Sequence, residues 1–200
     1  MTKFKIIYPK GATPIELDEI KELIPDYIST MRELNQLEQA NIADGFVWAD
    51  KEPLENLFTA TFIFKLHEKM FNQVWKWAGK MRKSNKNIGV MKEQIMNDLG
   101  ALLKNVEYWI EFKIFNYDEI AVRFHHRLVK IHIFPNGNGR HARLMTDLFL
   151  KKCGEHKFTW GRRCENTHFE TEGLSRQEYI NALVAADNDD YQPLIKFVRS

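Results

Sequence analysis

A titratable base, two glycines and two arginines fall within the stretch His132-Ile133-Phe134-Pro135-Asn136-Gly137-Asn138-Gly139-Arg140-His141-Ala142-Arg143. Gly137 and Gly139 permit backbone conformations and close approaches that a side chain would block. Such a loop, ending at a helix start, presents unpaired N–H groups to an anion. Arg140 and Arg143 are three apart at that helix start, so both can point toward the same region, and guanidinium forks match phosphate oxygens. His132, an imidazole of near-neutral pKa, is placed to take a proton from an incoming hydroxyl. The conjunction reads as phosphoryl or nucleotidyl transfer: a bound polyphosphate and an activated nucleophile positioned for in-line attack. Each piece alone has a structural explanation: a histidine ending a helix, an Asn-Gly turn, two arginines on a solvated face. The loop is neither a GxxxxGK[ST] phosphate loop nor a dinucleotide fingerprint.

A metal reading fails on spacing. His125, His126 and His132 are close in sequence, but no HExxH occurs and no carboxylate sits at ligand spacing beside them. His125 and His126 read as packing or hydrogen-bonding residues.

Helices must position this loop. Ile120, Ala121, Phe124, Leu128 and Ile131 give a helix over 117–130, with Asp118 and Glu119 in its first turn, as the helix dipole prefers. A helix from Gly139 or Arg140 carries Leu144, Met145, Leu148, Phe149 and Leu150 and stops before Gly154. Upstream, Ile28, Met31, Leu34, Leu37 and Ile42 form one stripe of a helix starting near Asp26 or Ser29. The apolar run from Leu54 to Trp77 predicts one or two helices capped at Gly79. Residues 91–112 predict another, and 176–186 and 193–198 two short ones. Residues 1–15 read as an extended arm, followed by a short acidic helix over 16–23. Lys80 to Gly89 lacks helical pattern, and the turn-prone Asn85-Lys86-Asn87 predicts a small hairpin or flap. The class is all-α with one small β element.

The chain of 200 residues is long enough for one domain with a small appendage. A net charge of +2 supplies no strong field for nucleic acid or a membrane surface, and the basic residues are scattered, so no direct DNA binding is expected. No apolar run is long enough to span a bilayer. Cys153 and Cys164, without a CxxC, read as reduced thiols of a cytoplasmic protein, with one disulfide between them as the alternative.

The opening stretch resembles the Fic family signature HxFx[DE]GNGRxxR, through His132, Phe134, Gly137, Asn138, Gly139, Arg140 and Arg143. Trp77-Ala78-Gly79-Lys80 with Arg82, then Asn87-Ile88-Gly89, resembles the family's lead into its flap. Arg176 to Leu183, followed by Ala185-Ala186-Asp187, resembles its closing helix. Gly11-Ala12-Thr13-Pro14 and Arg32-Glu33-Leu34-Asn35 are similar to the bacterial Fic subgroup called mobile mystery protein B. The resemblance implies a Fic-fold helical bundle with a β-hairpin flap, divided into an N-terminal arm and inhibitory helix (1–53) and a Fic domain (54–200). It implies transfer of AMP from ATP to a hydroxyl of a target protein, self-modification included. His132 would be the general base, Phe134 the anchor of the loop in the core, and Asn136, Gly137, Asn138, Gly139, Arg140 and Arg143 the nucleotide-binding residues. Lys86, Asn87, Ile88, Gly89 and Val90 would dock the target segment as an added strand. Mg²⁺ or Mn²⁺ is implied with the nucleotide, yet the position that is normally acidic is Asn136, a neutral and weaker ligand for a hard cation. Ser29 to Glu33 fits the first part of the family's inhibitory pattern [ST]xxxE[GN], with Leu34 in place of Gly or Asn, so Glu33 is expected to reach Arg143. The alternative expectation is a weakly active or inactive nucleotide-binding regulator, or a toxin-like partner of a small antitoxin.

Overall fold

The computed structural model describes residues 17–161 and 174–200. The expected arm over 1–15 and most of the loop preceding residue 171, Cys164 included, lie outside the described residues. The described chain is helical: α1 (Leu17–Ile20), α2 (Met31–Ala49), α3 (Leu54–Leu57), α4 (Ala60–Phe71), a single 3₁₀ turn (Lys92–Gln94), α5 (Ile95–Glu111), α6 (Tyr117–Ile131), α7 (Asn138–Lys152), α8 (Leu174–Ala186) and α9 (Gln192–Val198). Among the described residues the only β feature is an isolated antiparallel bridge between Leu23 and Trp75.

Capping residues set the starts of α2, α4 and α6. α2 starts at Met31 because Thr30 and Glu33 form a capping box, the Thr30 hydroxyl accepting from the Glu33 N–H at 3.2 Å. Thr59 caps α4 in the same way, accepting from Phe62 N–H at 3.1 Å, and so divides the apolar run after Leu54 into α3 and α4. α4 ends at Phe71, earlier than the expected cap at Gly79. Residues 72–79 are turns instead, and the Gly79 N–H donates to His67 Nδ1 at 3.0 Å.

The core is centred on α4, α6 and α7, where Ile63, Leu66, Met70, Phe71, Phe124, Met145, Leu148 and Phe149 are fully buried. Each such side chain contributes about 1.5–3 kcal/mol through area removed from water. α2 packs on α4, α6 on α7, and α9 on both α8 and α6.

Two sequence expectations need correction. The buried face of α2 is Leu34, Glu38, Asn41, Gly45 and Ala49, at i, i+4, i+7, i+11 and i+15, polar or small at every position after Leu34. The stripe through Met31, Leu37 and Ile42 is only partly buried. Asn41 explains the difference: its amide donates to Lys69 O at 2.9 Å and accepts from Gln73 N–H at 2.9 Å, tying α2 to the end of α4. The second concerns the flap. Residues 80–90 form bends without a strand ladder, not a hairpin. The carbonyls of Ser84 and Val90 are taken by the Arg82 guanidinium rather than by backbone amides.

Candidate active site

α6 terminates at His132, which adopts the left-handed conformation (φ 55, ψ 61) while its N–H closes the helix on Leu128 O at 3.2 Å. A left-handed histidine at a helix end turns the chain sharply and costs of order 1–3 kcal/mol, so its surroundings must hold it. Phe134 supplies part of that support. It is fully buried, stacked on the His67 ring at 3.6 Å between centroids, with Phe64 and His141 edge-on. This is the anchoring place expected for Phe134.

The loop is held from inside by two amide or imidazole clamps. Asn138 uses both ends of its side chain on the backbone of Phe134, donating to its carbonyl at 2.8 Å and accepting from its N–H at 2.9 Å. Its expected place in the anion cradle is therefore a backbone one. His67 has a single consistent tautomer: because Gly79 N–H donates to Nδ1, Nε2 carries the proton and donates to Asn136 O at 3.1 Å. Burial holds the His67 pKa well below the ordinary value, with His141 and Arg140 adding to the effect. Sequence reasoning missed His67, because its position among Ile63, Leu66, Met70 and Phe71 reads as core.

α7 begins immediately after the loop. Gly137 is its N-cap at φ 77 and makes no side-chain capping bond. A β-carbon there would lie 2.7 Å from two Phe71 ring atoms and 3.3 Å from His67 Nε2. At Gly139, by contrast, a β-carbon would meet nothing within 4 Å. The helix start is thus packed on one side and open on the other, as an anion cradle at a helix N-terminus requires. Gly137→Ala is expected to cost about 3 kcal/mol, from left-handed strain plus overpacking. In a chain of this size that lowers Tm by roughly 6–12 °C. A thermal melt checks it, and an unchanged Tm would show that the loop has room the packing denies.

The two arginines face different neighbours. Arg140 pairs with Glu38 of α2 at 2.6 Å and lies over the Phe71 ring, its guanidinium carbon 5.0 Å from the centroid. The second Glu38 oxygen accepts from the Trp75 indole N–H at 2.6 Å. The charge of Arg143 acts on His125, Tyr179 and Asp147, between α6, α7 and α8. Positions three apart on a helix differ by about 60° in direction, so the two side chains share a face but lean toward different neighbours. Glu38 carried no role in the sequence reading. Its signal was a carboxylate at helical spacing from Leu34 and Asn41.

Glu33 does not reach Arg143. Its carboxylate accepts from Ser29 N–H at 2.8 Å, Ser29 Oγ at 3.1 Å and Thr30 N–H at 2.9 Å, and these bonds hold its pKa below the usual carboxylate value. Glu33 belongs to the capping box of α2, with Ser29 donating to it, and the carboxylate that this helix brings to the loop is Glu38, one and a half turns further on.

His132 is 4% exposed, and burial followed by the nearby Arg82 and Lys86 cations lowers its pKa to about 4. At neutral pH it is an uncharged imidazole, the protonation state a general base needs. Of the flap residues, Gly89 (φ 104) abuts His132 directly: a β-carbon there would be 2.6 Å from His132 Cβ. Lys86 is turned inward onto Glu19 of α1 at 2.6 Å, its side chain 3% exposed, whereas Ile88 is exposed. Asn136 accepts from Gly137 N–H through its side-chain oxygen at 2.7 Å. With a neutral amide engaged by the backbone in the acidic position, the loop itself does not form a magnesium site. Among the described residues no cluster of three or more His, Cys, Asp or Glu is arranged to hold a metal. No helix among them is long and apolar enough to cross a membrane.

A left-handed histidine, a braced glycine loop and an open helix start together define a helical domain with a buried imidazole beside a helix N-terminus. The Fic/DOC family model matches residues 57–150 of the chain. The chain is 25% identical over 170 residues to the protein adenylyltransferase Fic of Aedes aegypti, covering 83% of this chain and 32% of that protein. It therefore spans about a third of that relative's length. Among solved structures, the fold is shared with a BepC protein from Bartonella tribocorum with bound AMPPNP (TM-score 0.66, 18% identity, 96% of this chain and 93% of that one). It is shared also with the N-terminal Fic domain of a Bartonella quintana effector protein with bound ADP (TM-score 0.64, 18% identity, 87% and 86% covered).

Proposed function

We propose that this chain transfers AMP from ATP to a hydroxyl side chain of a protein segment docked beside residues 86–90, its own chain included. The observation that carries this reading is the neutral, buried His132 held at the edge of an open helix N-terminus. The hydroxyl oxygen attacks the α-phosphorus, its proton passes to His132, and the bond to pyrophosphate breaks as the new phosphodiester forms. The N–H groups at the start of α7, with Arg140 and Arg143 flanking them, bind the phosphates. The named adenylyltransferase relative and the nucleotide-bound structural neighbours support the same substrate class. No step is assigned to a metal, because Asn136 is not suited to hold one.

One observation favours a second reading, a weakly active nucleotide-binding regulator: the Asn136 amide is engaged by Gly137 N–H where a carboxylate would serve a cation. ATP labelled at the α-phosphate, supplied with Mg²⁺ or Mn²⁺, separates the two. Covalent label on protein that falls 100- to 10,000-fold in His132→Ala, the usual range for a general base, supports transfer. Nucleotide binding without label under either metal supports the regulator.

A further inference from the structure

We propose that Arg82 is a positioning residue that locks the flap to the backbone of the proposed base, His132; this rests on the AMP-transfer reading of the same site. Arg82 is 1% exposed, and its hydrogen-bond acceptors are neutral oxygens. Nε donates to His132 O at 2.6 Å, Nη1 to Ser84 O at 2.8 Å and to Asn85 Oδ1 at 3.5 Å, and Nη2 to Val90 O. Its backbone N–H donates to Ile133 O at 3.0 Å. One residue therefore holds the two carbonyls that follow the left-handed turn and carbonyls near both ends of the flap.

A buried guanidinium satisfied by neutral carbonyls is a costly way to join two loops. Its geometry explains why another residue would not serve. The planar fork reaches three carbonyls from different segments at once, which a lysine ammonium on one flexible stem does not. The contact between Gly89 and His132 shows how close the joined parts are, since a β-carbon at 89 would also sit 3.2 Å from Arg82 Nη2. Asn85 extends the lock, its side-chain oxygen accepting from Lys92 N–H at 2.9 Å. A target hydroxyl aligned by the flap thus meets an imidazole whose position the same guanidinium sets. Displacements near 1 Å at such a site are worth about a hundredfold in rate.

The test compares wild type, Arg82→Lys and Arg82→Met for thermal stability, affinity for a non-hydrolysable ATP analogue, and steady-state AMP transfer. Expected is a loss of about a hundredfold in kcat, with analogue affinity within twofold of wild type, and no rescue by lysine. Should the methionine variant fail to fold, the lysine variant alone carries the comparison. Analogue affinity falling in parallel with rate and Tm would reduce Arg82 to a general structural role and overturn the proposal, as would full activity in the lysine variant. If wild type transfers no AMP, the function reading fails by itself. Positioning is then read from amide exchange at His132, Ile133 and Val90, which should accelerate at least tenfold in Arg82→Met relative to amides of α4. Unchanged protection there overturns it.

Discussion

Acidification is expected to unfold this chain near about pH 5, above the range in which ordinary carboxylates are protonated. Burial lowers the pKa of His125 to about 3 and of His132 and His141 to about 4, and holds that of His67 well below normal. The unfolded chain, with histidines near 6.5, binds more protons through that window, so stability falls as pH drops from 6.5 toward 4. At pH 5 each of the three with a value forfeits about 2 kcal/mol, some 6 kcal/mol together. Asp147 acts in the opposite sense. Burial raises it to about 6, and its protonation between pH 6 and 3.8 returns about 1.4 kcal/mol at pH 5. The remainder is comparable to the whole stability of a typical domain. The geometry supplies the mechanism at His67: a second proton would set Nδ1–H against Gly79 N–H, breaking the bond that fixes the loop through Asn136. Far-UV circular dichroism against pH is the measurement. A full helical signal retained down to pH 4 would mean that these imidazoles are not held neutral.

The elements around the loop were legible because local rules wrote them. Apolar spacing over 117–130 and 140–150 located α6 and α7 within a residue or two, and Asp118 and Glu119 marked the α6 start. α2 was misread for a physical reason. Leu34 of the predicted stripe is fully buried, but Met31, Leu37 and Ile42 are only partly so, and Glu38, Asn41, Gly45 and Ala49 complete the buried face, so a reading that equates burial with apolarity is rotated off it. The flap was misread because turn-prone residues say where a chain bends and nothing about whether the two arms pair. Here a side chain, Arg82, took the carbonyls that a ladder would have used.

At the site, the order of residues gave chemistry and withheld partners. His132 at a helix end and two glycines at a helix start could each be inferred from the linear pattern, whereas Phe134 in the core was implied only by the family resemblance. Which carboxylate meets which arginine could not, since Glu38 and Arg140 are joined by tertiary packing across more than half the chain. Glu33 served both the first part of an inhibitory pattern, with Ser29, and a capping box, with Thr30. The box acts within one turn of α2 and needs no docking, so the local bond prevailed.

Glu38 is where stability and nucleotide affinity are expected to separate. Its two oxygens serve the Trp75 indole and the Arg140 guanidinium, and it is almost wholly buried. Glu38→Ala removes both acceptors and leaves a guanidinium without its counter-charge, a change that costs about 3–5 kcal/mol. For a chain of this size Tm then falls by roughly 6–20 °C. Glu38→Gln keeps an oxygen for Trp75 and a hydrogen-bonding group beside Arg140 while deleting the charge, so most of that loss is spared. The same deletion exposes the full positive charge of Arg140 to a phosphate arriving at the start of α7. At a separation near 6 Å and an effective dielectric of about 20, removing a unit negative charge is worth up to about 3 kcal/mol before salt screening. The glutamine variant should therefore bind an ATP analogue roughly tenfold more tightly at moderate ionic strength, with the gain shrinking as salt is added. Calorimetric titration of folded Glu38→Gln against wild type at two salt concentrations reads this directly. Equal or weaker affinity in the variant would mean that Glu38 aims Arg140 at the nucleotide rather than competing for it.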